Sequence, residues 1–218
     1  MMDFAEARVK MVDCQVRPND VTNHDLIDAM LSVPREEFVP STRREFAYID
    51  EDMALEVEGR YLMEPCAFAK LAQLAEVRQS DVVLVVGSGS GYGAAVISTL
   101  CDSVVAVEEN SVLAAQSERV LSNLGYDNVA VINSSHAGGS TREAPFDVIF
   151  IDGSVSHVPG SLLAQLNNGG RLVVVEGEGN AAKAQLFTRD GDNFARKEVF
   201  NCAIRPMPGF EREAEFQF

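Results

Sequence analysis

Positive charge is scarce in this sequence of 218 residues. Lys and Arg together number 18, against 33 Asp and Glu, which gives a formal net charge of −15. Binding to duplex DNA or polyanionic RNA requires clustered cations that displace counterions from the phosphates. We therefore expect no nucleic-acid partner, and we interpret the acidic excess as an ordinary solvated surface.

Residues suited to metal or disulfide chemistry are also few. The four cysteines form no C-x-x-C pair, and the three histidines have no ligand-like spacing. Each cysteine is expected to be a small buried apolar residue. The sequence predicts neither a metal site nor a disulfide framework.

Long apolar runs are missing as well. None reaches the roughly 18 residues needed to span a bilayer. The first residues, MMDFAEARVKMVD, have no apolar core of the signal-peptide kind. We expect a cytoplasmic protein without a membrane partner, and the sequence leaves its oligomeric state open.

From about Val82 onward, short apolar runs alternate with helical patterns. VVLVV (82–86) is a continuous apolar run, typical of a strand buried on both faces. Further strands are predicted at 104–109, 129–132, 146–152 and 171–177, and helices at GAAVISTL, 111–125 and SLLAQLNNGG. Strands that alternate with helices through short turns predict an α/β fold with a doubly wound, mostly parallel sheet.

The two ends of the chain differ from this pattern. An antiparallel β-hairpin around an Asp-Gly turn is predicted near the C-terminus, from AQLFTR, DGDN and FARKEVFNCAIRPM. Such a hairpin favours an S-adenosylmethionine-dependent methyltransferase fold over an ordinary dinucleotide fold. NHDLIDAMLSV and PCAFAKLAQLAEV predict helices near the N-terminus. We expect one domain over 1–218, in which a helical flank and substrate-side segment (1–80) pack on the sheet (81–218).

A glycine-rich turn follows the first predicted strand and opens a helix. Glycines permit positive φ and close approach of a ligand, and free N–H groups at the start of a helix face that ligand. The turn has the G-x-G-x-x-A form, which ends at Ala94. We predict that it binds a nucleotide-like cofactor through Gly87, Ser88, Gly89 and Gly91, the alternative being a tight turn without a ligand.

Acidic residues at the same edge of the sheet support this prediction. Glu108 ends the second predicted strand, roughly 20 residues after the glycine turn, where a carboxylate accepts hydrogen bonds from ribose hydroxyls. The adjacent Glu109 leaves the register open by one residue. Asp152 follows the fourth strand and either contacts the ligand or forms a turn.

Several motifs together resemble the protein-L-isoaspartate O-methyltransferase family. They are DCQVRP, AMLSVPREEFVP, AYID, VVGSGSGYGAAV, VAVEEN, LGYDNVAV, APFDVIFID, LLAQLNNGGRLVVVEG and FTRDGDNF…RPMPG, which span most of the chain. The resemblance implies a doubly wound sheet and S-adenosylmethionine as cofactor. It also implies methylation of the free carboxylate of isoaspartyl residues in damaged proteins.

The sequence departs from the family in the substrate segment. The family reads G-Q-T-I-S-Q-P where this chain has GRYLMEP (59–65), so Met63 stands in place of a functional serine and Tyr61 in place of threonine. Glu64 replaces glutamine and adds a negative charge that repels a carboxylate. Arg60 could pair with the substrate or with Glu64, or it could be a surface side chain. We expect the surface position. No catalytic residue is assigned within this segment.

The cofactor side departs too. Val85 replaces an acidic residue of the family, and Ser135 stands where the family has an aspartate near the adenine amino group. A serine oxygen still accepts a hydrogen bond, though more weakly than a carboxylate. The resemblance therefore implies that Ser135 joins the glycine turn and Glu108 in cofactor binding. Tyr61 and His136 either shape an altered pocket or pack in the core.

Three functions follow from these observations. The first is an S-adenosylmethionine-dependent methyltransferase acting on a protein or peptide carboxylate, with isoaspartate repair itself not expected. The second is a non-catalytic binding or regulatory protein on the same scaffold. The third is a nicotinamide oxidoreductase, against which the C-terminal hairpin and the 80 residues before the first strand both count.

Overall fold

A seven-stranded sheet forms the centre of the molecule. The structure, a computed structural model, describes residues 2–210. The strands are β3 (Val82–Val86), β4 (Ser103–Glu108), β5 (Val129–Asn133), β6 (Phe146–Val155), β7 (Leu166–Glu176), β8 (Lys183–Asp190) and β9 (Asn193–Asn201). Their order is β5-β4-β3-β6-β7-β8-β9, with the first five parallel and the last two antiparallel. The predicted parallel sheet with a C-terminal hairpin is confirmed.

The helices between the strands are α4 (Tyr92–Ser98), α5 (Ser111–Leu124) and α6 (Gly160–Leu163). Helix α5 matches the predicted 111–125 segment and ends at Gly125, which adopts φ 80°. The prediction for SLLAQLNNGG was largely wrong, because α6 is four residues long and β7 already begins at Leu166. The Asn-Asn-Gly-Gly run has poor helix propensity, and Leu166 pairs with Phe146 of β6.

The N-terminal region consists of short elements. They are α1 (Phe4–Met11), a π-helical turn (Val12–Val16), α2 (His24–Ser32), β1 (Met53–Ala54), β2 (Tyr61–Leu62) and α3 (Pro65–Ala75). The side chain of Asn23 caps α2 by accepting the Leu26 N–H. Pro65 occupies the first turn of α3, as predicted. Strands β1 and β2 form a small antiparallel hairpin just before α3.

Two apolar clusters bury the two faces of the sheet. Successive residues of a strand point to opposite faces, so Val83 and Val85 join one cluster while Leu84 and Val86 join the other. The first cluster also contains apolar residues of the N-terminal region, among them Met11, Met30, Leu62 and Phe68. Apolar residues of the region before the sheet therefore share a core with one face of it.

The cysteine prediction holds for only half of the set. Cys101 and Cys202 are buried, whereas Cys14 is exposed and Cys66 is half-buried. Cys14 lies in the π-helical turn, which buries Val12 and Val16 instead. Between residues 2 and 210, no helix has the length and apolar character required to cross a membrane.

One edge of the sheet collects the residues of interest. In parallel strands the carboxyl ends meet at the same edge, where ligands of open α/β sheets bind. The glycine turn after β3, Glu108 at the end of β4, and Asp152 in β6 lie there. The segment 205–207 crosses the same edge, where Pro206 pairs with Ser154 of β6.

Candidate cofactor and acceptor site

The glycine turn has the predicted backbone conformation. Gly87, Gly89 and Gly91 adopt φ of 74°, 55° and 97°, a region that disfavours other residues. Its amides are largely used within the protein. Gly87 and Ser88 both donate to the Val107 carbonyl at 2.8 and 3.1 Å, and Gly91 donates to Ser88 O at 2.8 Å. The expectation that free N–H groups face a ligand was wrong for these residues.

Two hydroxyls in the turn are unsatisfied. Ser88 Oγ and Ser90 Oγ are buried and have no hydrogen-bond partner among residues 2–210. A buried polar group normally has a partner, and an exception calls for a missing water or ligand. These hydroxyls fit a polar ligand at the turn.

Glu108 is held from several sides. Its Oε2 accepts from Gly89 N at 2.9 Å and from Arg60 Nη2 at 2.6 Å, while Oε1 accepts from Asn110 N at 3.0 Å. The side chain is 0% exposed. Burial would raise the pKa of Glu108, but the neighbouring His136 ring, the Arg60 guanidinium and the Asn110 amide favour the charged form and lower the pKa to about 2.

Arg60 is the partner that sequence reasoning placed wrongly. It is not on the surface: the side chain is 4% exposed and pairs with Glu108 across 48 positions of sequence. The same Nη2 donates to Gly87 O at 2.9 Å. Arg60 therefore joins the substrate segment to the glycine turn and occupies one oxygen of Glu108.

Met207 closes the turn from above. A Cβ built on Gly87 would lie 1.9 Å from Met207 Sδ, and one built on Gly153 would lie 2.9 Å from Met207 Cβ. The backbone of this segment is fixed, since Met207 N donates to Ser154 O at 2.8 Å and Ser154 N to Arg205 O at 3.2 Å. The methionine side chain thus occupies the space directly over the first glycine.

Two cavities flank the Arg60 side chain. The larger has a volume of about 230 Å³ and is lined by Arg60, Glu108, Asn110 and His136, among others. The smaller has about 10 Å³, room for about one water, and is lined by Arg60, Asp152 and Met207, among others. The Arg60 side chain therefore lines both cavities.

Asp152 faces the smaller cavity. It is 9% exposed and accepts no hydrogen bond from any residue in the described part of the chain. Burial raises the pKa of Asp152 to about 7, which the charges of Arg60 and Arg35 oppose. Its Oδ2 lies against Gly93, where an added Cβ would come within 2.6 Å. Asp152 is thus a carboxyl in the site rather than a residue of an exposed turn.

His136, rather than Ser135, lies against the acidic pair. Ser135 is exposed, and its hydroxyl accepts from Gly138 N at 3.2 Å. His136 is buried, with Nδ1 3.0 Å from Pro208 O and Nε2 accepting from Glu109 N at 3.1 Å. Because a carbonyl oxygen only accepts, the proton is on Nδ1. His136 thereby ties β4 to the C-terminal segment.

The substrate segment lines the outer side of the smaller cavity. Met63 is buried, and its carbonyl accepts from Nη2 of the buried Arg35 at 2.7 Å. The Glu64 N–H donates to Asp52 Oδ1 at 3.0 Å. Burial, followed by repulsion from the acidic residues at 50–52, raises the pKa of Glu64 to about 7. Tyr61 lies under Arg205, whose guanidinium is 5.2 Å from the ring centroid.

Sequence comparison identifies the relatives of this chain. The sequence profile of the protein-L-isoaspartate(D-aspartate) O-methyltransferase family matches residues 7–211. The chain belongs to this family. It is 32% identical over 206 residues to the protein-L-isoaspartate O-methyltransferase of Koribacter versatilis (strain Ellin345), covering 94% of this chain and 92% of that protein. It is 36% identical over 207 residues to protein-L-isoaspartate O-methyltransferase 2 of Shewanella sediminis (strain HAW-EB3), covering 94% and 84%.

Solved structures agree with the fold. A protein-L-isoaspartate O-methyltransferase superimposes with a TM-score of 0.80 at 25% identity and covers 93% of this chain, which spans 66% of that chain's length. A putative member from Plasmodium falciparum, in complex with S-adenosyl-L-homocysteine, has a TM-score of 0.76 at 19% identity and covers 94% and 98%. The sheet is that of the S-adenosylmethionine-dependent methyltransferases, and S-adenosylmethionine is the cofactor of the family.

Family membership decides between the three functions. A methyltransferase related to protein-L-isoaspartate O-methyltransferase is supported, and a non-catalytic protein on the same scaffold is not favoured. The nicotinamide oxidoreductase finds no support in these relatives.

The residues present fit the cofactor under one condition. The unsatisfied hydroxyls of Ser88 and Ser90 and the larger cavity beside Glu108 suit a polar, nucleoside-bearing ligand. Arg60 on Glu108 and Met207 over Gly87 occupy the rest of the space. The condition is that a ligand which uses Glu108 Oε2 or the space over Gly87 displaces the side chain that occupies that position.

Proposed function

We propose that this chain is an S-adenosylmethionine-dependent methyltransferase that acts in the cytoplasm on a protein or peptide. The cofactor lies against the turn residues Gly87, Ser88, Gly89 and Gly91. It bonds to the unsatisfied hydroxyls of Ser88 and Ser90 rather than to the glycine amides, and Glu108 accepts its ribose hydroxyls. When bound, the cofactor supplies a methyl group on a sulfonium centre. The observation that carries the proposal is the bond from Gly89 N to Glu108 Oε2, which fixes a charged carboxylate against the glycine turn beside a cavity of about 230 Å³.

Ser135 has a smaller part in this proposal. Its exposed hydroxyl stands at the start of the turn that His136 anchors. From there it is available to the outer part of an adenine ring. His136 supports the pocket from inside by binding Glu109 N and Pro208 O.

The acceptor side disfavours an isoaspartyl carboxylate. Methyl transfer to a carboxylate needs alignment of the oxygen, the methyl carbon and the sulfonium, and hydrogen bonds that hold the carboxylate. Met63 offers no donor, and Glu64 lies beside Asp52. An anionic acceptor therefore meets the carboxyl groups of Asp52 and Glu64, and burial together with their mutual repulsion already raises the pKa of Glu64 to about 7. We propose that the segment of Arg60, Tyr61, Met63 and Glu64 binds the acceptor, and that isoaspartate repair is weak.

Calorimetric titration with S-adenosylhomocysteine tests the proposed function. We expect saturable binding by the wild type and an affinity lower by about tenfold or more in Glu108→Gln, since hydrogen bonds to a charged group contribute about 1.5–3 kcal/mol. A matched control is Glu109→Gln, the neighbouring carboxylate, which is half exposed. No heat and no thermal shift at millimolar ligand would rule out the proposed function.

A further inference from the structure

The backbone of Arg60 is fixed while its side chain is not fully engaged. Arg60 N donates to Val57 O at 3.1 Å, and Arg60 O accepts from Leu55 N at 2.9 Å, in the loop that joins β1 and β2. Nη2 makes both side-chain contacts, and Nε has no partner within residues 2–210. An arginine presents five N–H donors in a planar fork. A rotation of the side chain alone can therefore give the guanidinium a different partner.

Asp152 is a second carboxyl within the reach of this guanidinium. Both residues line the cavity of about 10 Å³ and so face the same space. Among the charges around Asp152, Arg60 is the strongest that favours its ionised form, ahead of Arg35. A buried carboxylate without a hydrogen-bond donor is costly, and a guanidinium is a suitable partner for it.

We propose that Arg60 is a switch residue that binds Glu108 while the ribose position is empty and transfers to Asp152 when a ligand hydroxyl takes its place. The inference rests on the proposed function and deepens it. Arg60 becomes a positioning residue that couples the nucleoside end of the site to its acceptor end.

The charges balance in both states. Without ligand, the Arg60–Glu108 pair is neutral, and Asp152 is mostly protonated below about pH 7, because burial raises its pKa to about 7. With ligand, Asp152 releases its proton to solvent and pairs with Arg60, while Glu108 keeps its bonds from Gly89 and Asn110 and gains the ribose hydroxyls. Neither state leaves a buried charge without a partner, which would cost several kcal/mol.

Met207 moves in the same event. Its Sδ lies over Gly87, on the wall of the cavity that receives the guanidinium. Methionine is unbranched and flexible, so its side chain can leave the cavity while the backbone bonds to Ser154 remain. The ligand therefore meets two side chains, Arg60 and Met207, which can both rotate while their backbones stay in place.

A double-mutant cycle on S-adenosylhomocysteine affinity tests the switch. The proteins are full-length wild type, Arg60→Gln, Asp152→Asn and the double variant, titrated by calorimetry after a thermal melt confirms folding. Arg60→Gln should bind about tenfold more tightly, because Glu108 no longer has to be released from a competitor. Asp152→Asn should bind several-fold more weakly. The double variant should match Arg60→Gln within about twofold, because Asp152 then has no guanidinium to receive.

Two further variants keep the test decisive. Arg196→Gln removes a positive charge from β9, outside both cavities, and should leave the affinity unchanged. If Arg60→Gln fails to fold, Arg60→Lys keeps the charge but loses the planar fork and should give an intermediate affinity.

The outcomes separate the switch from the proposed function. An unchanged or weaker affinity in Arg60→Gln would overturn the switch. So would an equal loss from Asp152→Asn in both backgrounds, since Asp152 would then touch the ligand itself. In both cases the methyltransferase proposal stands. If none of the proteins binds S-adenosylhomocysteine, the proposed function fails and the switch fails with it.

Discussion

Arg60 Nη2 lies 2.6 Å from Glu108 Oε2, and the two side chains are 4% and 0% exposed. The pair therefore lies in the interior, although Glu108 ends a strand at the ligand edge of the sheet. A buried ion pair is costly to break from one side, because the remaining charge has no partner. A ligand that displaces Arg60 from Glu108 therefore has to leave the guanidinium with another partner, which the proposed exchange supplies.

The buried pair should contribute to stability in a way that an exposed pair does not. Lys183 and Glu198 have the same 2.6 Å separation, but their side chains are 44% and 52% exposed. We expect Arg60→Met to lower the free energy of unfolding by about 3–5 kcal/mol. Lys183→Met should have little effect, because water screens that pair. Urea unfolding measures both changes, and equal losses would contradict the buried character of the first pair.

Gly87 should tolerate a side chain less well than another glycine of similar conformation. Gly125 has φ 80° and nothing within 4 Å of an added Cβ, whereas an added Cβ at Gly87 would overlap Met207 Sδ at 1.9 Å. Both alanine variants carry the strain of positive φ, about 1–2 kcal/mol. Gly87→Ala should cost about 1 kcal/mol more, the low end of the overpacking range, because the flexible Met207 side chain has to shift to admit the Cβ.

The second substitution in this test is Met207→Ala. In that background the difference between Gly87→Ala and Gly125→Ala should largely disappear, because the overlapping sulfur is gone. Thermal or urea unfolding of the four combinations gives the answer. A difference that persists without the methionine side chain would show that Met207 does not fill the space over the turn.

Stability should depend on pH in two opposite windows. The pKa of Glu108 is lowered from 4.5 to about 2, so its stabilising contribution is present above about pH 4.5 and is lost as the pH falls toward 2. The pKa of Asp152 is raised from 3.8 to about 7, so the native state retains a proton that the unfolded chain releases. Asp152 therefore lowers stability as the pH rises from about 4 to 7.

Urea midpoints measured across this pH range check both signs. Glu108→Gln should remove the acid-side loss, and Asp152→Asn should flatten the decline toward neutrality. The charged groups around Asp152 are Arg60 and Arg35, which favour its ionisation, and Asp52 and Glu108, which oppose it. An Asp152→Asn profile parallel to that of the wild type would contradict the assignment.

The acceptor segment should respond to restoring the residues of the family. Met63→Ser returns a hydroxyl donor, and Glu64→Gln removes a charge that lies beside Asp52. We expect the double variant to methylate an isoaspartyl peptide about tenfold or more faster than the wild type, about 1.4 kcal/mol in the barrier. Met53→Ser, another buried methionine in the adjoining β-hairpin, is the control and should give no gain. An unchanged rate in a double variant that binds S-adenosylhomocysteine would refute this assignment.

The fold could be predicted wherever local chemistry decides it. VVLVV became β3, the 111–125 pattern became α5 with Gly125 as its end, and the Asp-Gly turn closed the β8–β9 hairpin. Helix α6 was overestimated because pairing between Leu166 and Phe146, a long-range interaction, extends β7 into the Asn-Asn-Gly-Gly run.

The site was less accessible to sequence reasoning, because long-range contacts decide it. The glycine turn and Glu108 were found from their spacing. Arg60 and Glu108 are 48 positions apart in sequence, and Met207 and Gly87 are farther apart still. No local sequence pattern therefore predicts either contact. An arginine in the segment that faces the cofactor was the available signal, since a buried carboxylate at that edge requires a cation or hydrogen-bond donors.

A crystal structure of the protein bound to S-adenosylhomocysteine tests the exchange of Arg60 most directly. We expect the ribose hydroxyls to bind Glu108 and the Arg60 guanidinium to be hydrogen-bonded to Asp152. The Arg60–Glu108 separation should then exceed about 4 Å, the limit for an ion pair. A ligand bound while Arg60 Nη2 remains 2.6 Å from Glu108 Oε2, as it is here, would contradict it.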